Sequence, residues 1–484
     1  MNPHIDYTQF HTRRHLLGSA AVGIGGIAAA TLLGKQLHAE DEQSNNPLAP
    51  RKPHYPAKAK SVIYLHMSGA PPQQDTFDYK PKLVKLNMKP CPDEFLKDRR
   101  FAFIKGHPVL LGTPYKFAQH GQSGAWVSEH LPNIAKHVDD MAFLRGMYTD
   151  QFNHAPAELY LFTGSPRNGN ASMGSWITYG LGTTNQNLPG FVVLISGGTD
   201  PTGGKAVWST GFLPGVFQGV QCRSVGDPIL YANNPSGVDR ETRRRTLDAL
   251  QQLNQLELQE YGDPETKTRI EQYELAFRMQ MAVPDVMDFK SETKQTLEMY
   301  GAQPGQASFA NNCLLARRLI ERGVRFVQLF DWGWDIHGTG KGDDLMNHMP
   351  NKCKQVDQPI GALLADLKRT GLLKDTLVVW SGEFGRTSMN EARGGSKFLG
   401  RDHHPNCFTT WMAGAGIKPG VSYGATDELG YAITEGKTSV HDFQATILHL
   451  LGLDPWKFRY PYLGLQQRLI GPEGTCEIRK EILS

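Results

Sequence analysis

From residue 309 onward the chain alternates between two hydrophobic periods, and this limits the folds open to it. "FANNCLLARRLIERG" is an amphipathic helix closed by Gly323, followed by the strand "VRFVQLF". "PIGALLADLKRTG" is a helix closed by Gly371, followed by the strand "TLVVWSG". "CFTTWMAGAG" is a strand, and "HDFQATILHLLG" a helix capped by Gly452. Helices alternating with buried strands predict an α/β fold: a mostly parallel sheet with helices on both faces. "SVIYLHMSG" (61–69) and "GFVVLISGG" (190–198) add strands upstream, and 130–147 reads as a helix running into a strand. Residues 239–281 are charged, helix-forming and broken at Gly262-Asp263-Pro264. They predict a helical hairpin on the surface, within an insertion over 239–300. Such a pair is either solvated or an interaction face.

The N-terminus reads as a leader. Arg13-Arg14 precede a short Ala/Gly-rich apolar stretch ending in Leu37-His38-Ala39, an A-x-A-like cleavage site. This predicts a twin-arginine signal peptide over 1–39 and a periplasmic or otherwise exported protein, with an uncleaved membrane anchor as the alternative. Residues 40–60 read as a polar, Pro-rich linker, 61–472 as the main domain and 473–484 as a tail. No later apolar run reaches about 18 residues, so no membrane span is expected after signal removal. A net charge of +3 gives no argument for a nucleic-acid partner. The six cysteines form no C-x-x-C, so a zinc ribbon is not indicated; disulfides are permitted by the even count.

Polar residues gather where strands end. Val324 to Phe330 reads as a strand, which places Asp331, Asp335 and His337 in the loop at its C-terminal end, where open α/β sheets bind ligands. Ser68, Asp75 and Asp78 follow the first strand, and Glu383 and Arg386 follow 376–381. Asp402, His403 and His404 precede 407–412. Asp335 and His337, one residue apart, leave the same face in extended geometry. Carboxylates mixed with imidazoles suit zinc, manganese or iron. Arg386 is suited to a bidentate oxyanion contact, or to a salt bridge with Glu383. In "FNHAPAELYLFTG", Asn153-His154 precede an apolar helix carrying Glu158. A helix N-terminus favours a neutral imidazole there, fit to be a ligand or base, unless it only caps and packs. Trp332 and Trp334 are expected beside the site.

Taken in order, these pieces resemble the alkaline phosphatase and sulfatase superfamily. "HLPNIAKHVDDMAFLRGMYTDQFNHAPAELYLFTGSP" is similar to the sulfatase run from "TPNLDRLA" through the nucleophile to "LLTG". "WSGEFGRT" stands where that family has a strand ending in Asp-His, "DHHPNCFTTWMAGAGI" resembles its late metal histidine, and "SVHDFQATILHLLGLD" its closing helix. "MSGAPPQQDTFDYKP", "WDIHG", "EFGRT" and "GRDHHP" resemble hallmarks of an exported branch, domain-of-unknown-function family 1501. The resemblance covers roughly 61–456. It implies an alkaline-phosphatase-like fold in which Ser68 replaces the first metal Asp, His154 the formylglycine-forming nucleophile, and Glu383-Phe384 the Asp-His pair. One of two metal sites is then degraded. The other survives as Asp331 or Asp335, His337, and His403 or His404.

The roles that follow are catalytic for His154, Glu383 and Arg386, and metal-ligating for Asp331, Asp335, His337, His403 and His404. Ser68, Asp75 and Asn153 are expected to bind substrate. The expected cofactor is a divalent ion: zinc, manganese or calcium. The function implied is an exported, sulfatase-like, metal-dependent hydrolase of phosphate or sulfate esters without formylglycine. Its partners would be a small-molecule or polysaccharide ester and the twin-arginine export machinery. The alternatives are a non-catalytic relative binding a polyanion or sugar, and an exported scaffold.

Overall fold

The computed structural model describes residues 46–96, 101–224, 237–261, 264–472 and 474–484. The leader over 1–39 lies outside the described residues, as do Gly262 and Asp263 of the hairpin break.

A nine-stranded sheet forms the centre. Its strands in chain order are β1 (Ser61–Ser68), β2 (Met141–Tyr148), β3 (Phe191–Ser196), β4 (Val220–Cys222) and β5 (Phe326–Trp332). β6 (Thr376–Ser381), β7 (Phe408–Gly414), β8 (Val421–Tyr423) and β9 (Thr438–Ser439) complete it. The spatial order is β8-β2-β7-β6-β1-β5-β3-β4, with β9 also on β2. β6, β1, β5, β3 and β4 pair in parallel. β7 is antiparallel to both neighbours, β6 and β2, while β8 and β9 run parallel to β2. One strand therefore runs against the rest. Successive residues of β1, β5 and β6 are buried although they point to opposite faces, so both faces are covered. The mostly parallel α/β architecture read from the alternation is the one observed.

The main helices are α1 (His154–Thr163), α2 (Met173–Leu181), α3 (Arg240–Tyr261), α4 (Pro264–Met287), α5 (Phe309–Glu321), α6 (His348–Arg369) and α7 (Val440–Leu450). Local chemistry sets their starts. Ser308 caps α5 by accepting the Asn311 N–H at 3.1 Å, and Ser439 with Asp442 forms a capping box on α7. α6 begins well before Pro359, where the sequence pattern starts it. Cys353, Val356, Ile360, Leu363 and Leu367 share one buried face, and that burial carries the helix through the proline.

The charged hairpin of α3 and α4 is not solvated all round. α4 buries Leu275, Met279, Val283 and Val286. Arg244 holds Glu274 across the pair, with Nη1 3.1 Å from Oε2, and the Arg240 and Arg244 guanidinium carbons lie 5.2 and 5.0 Å from the Phe277 ring centre. The stretch read as a linker joins the packed body from Leu48 on: Leu48 and Ala59 are buried, and Lys58 and Ala59 N–H groups donate to Leu450 O. All six cysteines are unpaired. Among the described residues, no helix is long and apolar enough to cross a membrane.

Candidate metal centre

The reversal of β7 builds the site. Its N-terminal end, preceded by His403, lies at the same sheet edge as the C-terminal ends of β1, β5 and β6. His403 pairs with Arg386 in a two-stranded ribbon. Asp335 and His337 follow β5, and His154 opens α1 behind Asn153. Gly69, at φ +105°, lets these loops close, since a Cβ there would stand 2.4 Å from the Asp335 nitrogen.

Asp335 Oδ1 is the focus. His337 Nε2 lies 2.7 Å from it, His154 Nε2 3.1 Å and His403 Nε2 3.4 Å. Each imidazole is held through its other nitrogen. His154 Nδ1 meets Glu383 Oε1 at 2.5 Å, His337 Nδ1 meets Glu391, and His403 Nδ1 meets the Phe152 carbonyl at 2.7 Å. Carboxylates and carbonyls only accept, so Nδ1 can carry a proton, and a bound cation would then meet the Nε2 lone pair of each ring. Three such lone pairs and a carboxylate oxygen converging on one place repel one another unless a cation lies among them. Carboxylate or carbonyl behind each histidine is the arrangement that orients imidazole ligands to a metal. His154 Nε2, though close to Asp335, makes no hydrogen bond of acceptable direction. The four groups offer ligand atoms all within 4.8 Å of one another, and three nitrogens with one oxygen fit a divalent ion of intermediate hardness.

Protons fill the role when no ion does. Burial disfavours a charged His154, but the Asp335 and Glu383 carboxylates beside its two ring nitrogens outweigh this and raise its pKa to about 9. His337 is raised in the same way, against burial, by Asp335 and Glu391. Burial pulls His403 down to about 4. Asp335 resists its own burial because Arg386 and the imidazoles hold it far below the usual carboxylate range. The neutral His154 expected from a helix N-terminus is thus reversed by two carboxylates.

Several expected roles need correction. Asp331 still belongs to β5 and points away from the cluster. Lys352 Nζ lies 2.6 Å from it, and the Ser196 hydroxyl and Trp334 indole N–H donate to it at 2.8 and 3.2 Å. His404, next to His403 on an extended strand, faces the other way. Its Nε2 lies 2.6 Å from Tyr431 O, and its ring stacks on that tyrosine. Arg386 is buried and committed: it donates to Ala70 O at 3.0 Å, Arg401 O at 3.1 Å and Asp335 at 2.6 Å, and also to Gly69 O. It positions Asp335 and has no fork left for an oxyanion. Glu383 is fully buried; Oε1 accepts from the Gly69 N–H at 2.9 Å and faces His154, so it orients that ring. His154, expected to be catalytic, stands in the same cluster as Asp335, His337 and His403.

The substrate contacts expected of three residues fare similarly. Asp75 is sealed in a two-pronged pair with Arg401, at 2.7 and 3.1 Å. Ser68 is buried with its hydroxyl unpartnered, and its carbonyl accepts the Trp334 N–H. Asn153 is exposed at the N-cap of α1, without a side-chain cap bond. Trp332 stands edge-on to His154, with ring centres 6.1 Å apart, while Trp334 packs in the core. Sequence reasoning missed Glu391 and the Phe152 carbonyl. Glu391 sits in a loop with no period to mark it, and a backbone carbonyl has no sequence signature.

Beside the cluster opens a cleft of about 1440 Å³, lined by Trp332 and Asp335 on the site side and by Asp200, Arg223, His348 and Lys354 further out.

Fold and site define an α/β protein with a candidate metal centre at its sheet edge. More narrowly, residues 59–479 match the family described as "Protein of unknown function (DUF1501)", and the chain belongs to that family. No curated protein matches it. Among solved structures it is similar to a sulfatase from Pseudoalteromonas sp., at 14% identity over 83% of this chain and 68% of that one, with a TM-score of 0.35. A phosphonate monoester hydrolase from Silicibacter pomeroyi aligns at 12% identity over 88% and 76%, with a TM-score of 0.33. A protein in the alkaline phosphatase superfamily from Vibrio parahaemolyticus aligns at 12% over 93% and 78%, also with a TM-score of 0.33. Likenesses this remote carry nothing about chemistry.

Proposed function

We propose that the protein is an exported, metal-dependent hydrolase of phosphate or sulfate esters that works without formylglycine. The observation that carries this reading is the set of three imidazoles whose Nδ1 atoms are all tied back, turning three Nε2 atoms toward Asp335. His154, Asp335, His337 and His403 would hold a divalent ion, with zinc or manganese favoured over calcium by the imidazoles. Bound there, such an ion supplies charge that polarises an ester oxygen and acidifies a water. The chain's own work is positional. Glu383 orients His154, Glu391 orients His337, and Arg386 fixes Asp335. The adjoining cleft exceeds the roughly 300–1,000 Å³ of a drug-sized pocket, which suits a bulky or polysaccharide ester. His154 has both ring nitrogens engaged by carboxylates, so a covalent intermediate on residue 154 is not expected.

One observation favours a second reading. Four protein ligands close a shell, as in structural sites, and that suits a non-catalytic binding relative. Metal analysis of exported protein, followed by aryl phosphate, aryl sulfate and phosphonate monoester assays, separates the two. Turnover that needs the ion and is lost in His337→Ala supports the hydrolase; full metal occupancy with no turnover supports the binder. Export is tested separately: Arg13 and Arg14 both changed to Lys should trap precursor in the cytoplasm, and undiminished export would refute that part.

A further inference from the structure

On the core side of Glu383, three side chains are sealed from solvent: His66 on β1, Glu158 on α1, and Glu383 itself. His66 Nε2 lies 3.5 Å from Glu158 Oε1 and 3.4 Å from Glu383 Oε2. None of these three atoms makes a hydrogen bond, nor does His66 Nδ1. The opposite carboxylate oxygens are committed, Glu158 Oε2 to the Gly203 N–H at 2.6 Å and Glu383 Oε1 to Gly69 and His154. Each carboxylate therefore turns one bare oxygen toward the same imidazole nitrogen. Phe162 and Phe330 stand edge-on to that ring at 5.0 and 5.5 Å. Among the described residues, the ion pairs of both glutamates are with histidines and none is with lysine or arginine. Buried charge left in this state is strongly destabilising.

The spacing selects what belongs between these atoms. A direct N–H···O bond would bring the heavy atoms to about 2.9 Å. A water bonded to each at about 2.8 Å would hold them about 4.6 Å apart. A tetrahedral ion with ligand bonds of about 2.1 Å holds its donors about 3.4 Å apart. The observed separations of 3.4 and 3.5 Å match the ion. The two carboxylates also carry together the charge that a divalent cation cancels. We propose that His66, Glu158 and Glu383 form a second divalent-cation site, sealed in the core and joined to the first through Glu383. Glu383 Oε1 faces His154 and Oε2 faces the buried ion, so one carboxylate serves both. An ion in this position enters as the chain folds and leaves only when the core opens.

Metal stoichiometry before and after dialysis against EDTA tests this on full-length protein folded with zinc chloride. Wild type should start with two ions per chain and keep one. His337→Ala should keep the resistant ion and lack the labile one. Glu158→Gln should lose the resistant ion and keep the labile one. Should Glu158→Gln fail to fold, anomalous diffraction at the zinc edge on wild type decides, with a peak expected between His66 Nε2 and Glu383 Oε2. A water or empty space there beside a filled first centre would overturn the proposal. So would EDTA stripping all metal from folded wild type, or a folded Glu158→Gln that retains both ions. Wild type that starts with the resistant ion alone counts against the first centre and not against this one.

Discussion

His337 is gripped at both nitrogens, by Asp335 on one side and by Glu391 on the other, with Arg393 backing Glu391. Glu391→Gln keeps the shape and removes the charge that sustains the ligand's basicity. It should lower metal affinity by about 10–100-fold, as outer partners of metal-bound histidines do, in a competition titration with a chromophoric chelator. Wild-type affinity in that variant would show that the Glu391 contact is incidental. Asp75 makes the opposite case. Its pair with Arg401 is fully buried, so Asp75→Asn should destabilise the fold by roughly 3–5 kcal/mol in urea unfolding while the refolded protein takes up its usual metal. A stable variant with weakened ester turnover would restore the substrate role first expected of it. That Asp335, His337 and His403 gather at one sheet edge was legible, because polar residues at strand ends meet where such sheets bind. The choice of His403 over His404, and of Asp335 over Asp331, was not. The first depends on which way an extended ribbon faces, and the second on Lys352 reaching back from α6 to neutralise Asp331. His66 was hidden in an apolar strand, and Glu158 in an apolar helix.

At the level of elements, the loop after β1 passes so near the loop after β5 that only glycine fits at position 69. Gly69→Ala should displace Asp335 and weaken metal binding more than it lowers the melting temperature; a variant that binds as wild type does would show that the loops yield. A second junction ties the segment after α4 to α5. Arg317 Nη2 lies 2.7 Å from Glu292, and Arg318 holds the other oxygen. Burial would raise the Glu292 pKa, but the two guanidinium groups lower it. A carboxylate lowered on folding stabilises the protein above its unfolded pKa of about 4.5, and this is lost as the pH falls through the folded value. The stability gap between wild type and Glu292→Gln should therefore be widest at neutral pH and shrink as the pH falls below the unfolded pKa and through the folded one; a gap independent of pH would contradict the pairing. The main strands and α5 and α7 could be read from period and capping, because both act within a few residues. The start of α6 and the packing of 48–60 could not, since distant partners decide them.

For the whole molecule, an ion that binds only the folded state adds stability by mass action, about 2.7 kcal/mol at a hundredfold excess over Kd. Zinc titrated into chelator-treated protein should raise the melting temperature of wild type and leave His337→Ala unmoved; equal shifts would place the effect elsewhere. β7 gives this coupling a mechanical sense. It is the keystone of the sheet: among the described residues β2, β8 and β9 join the remaining strands only through it, and His403 lies just ahead of the same strand. Prising it out would sever the sheet along a seam and take a ligand from the ion in one motion. An ion held there would act as a rivet between the two halves, and a chain cut off before β7 should have neither the joined sheet nor the complete centre.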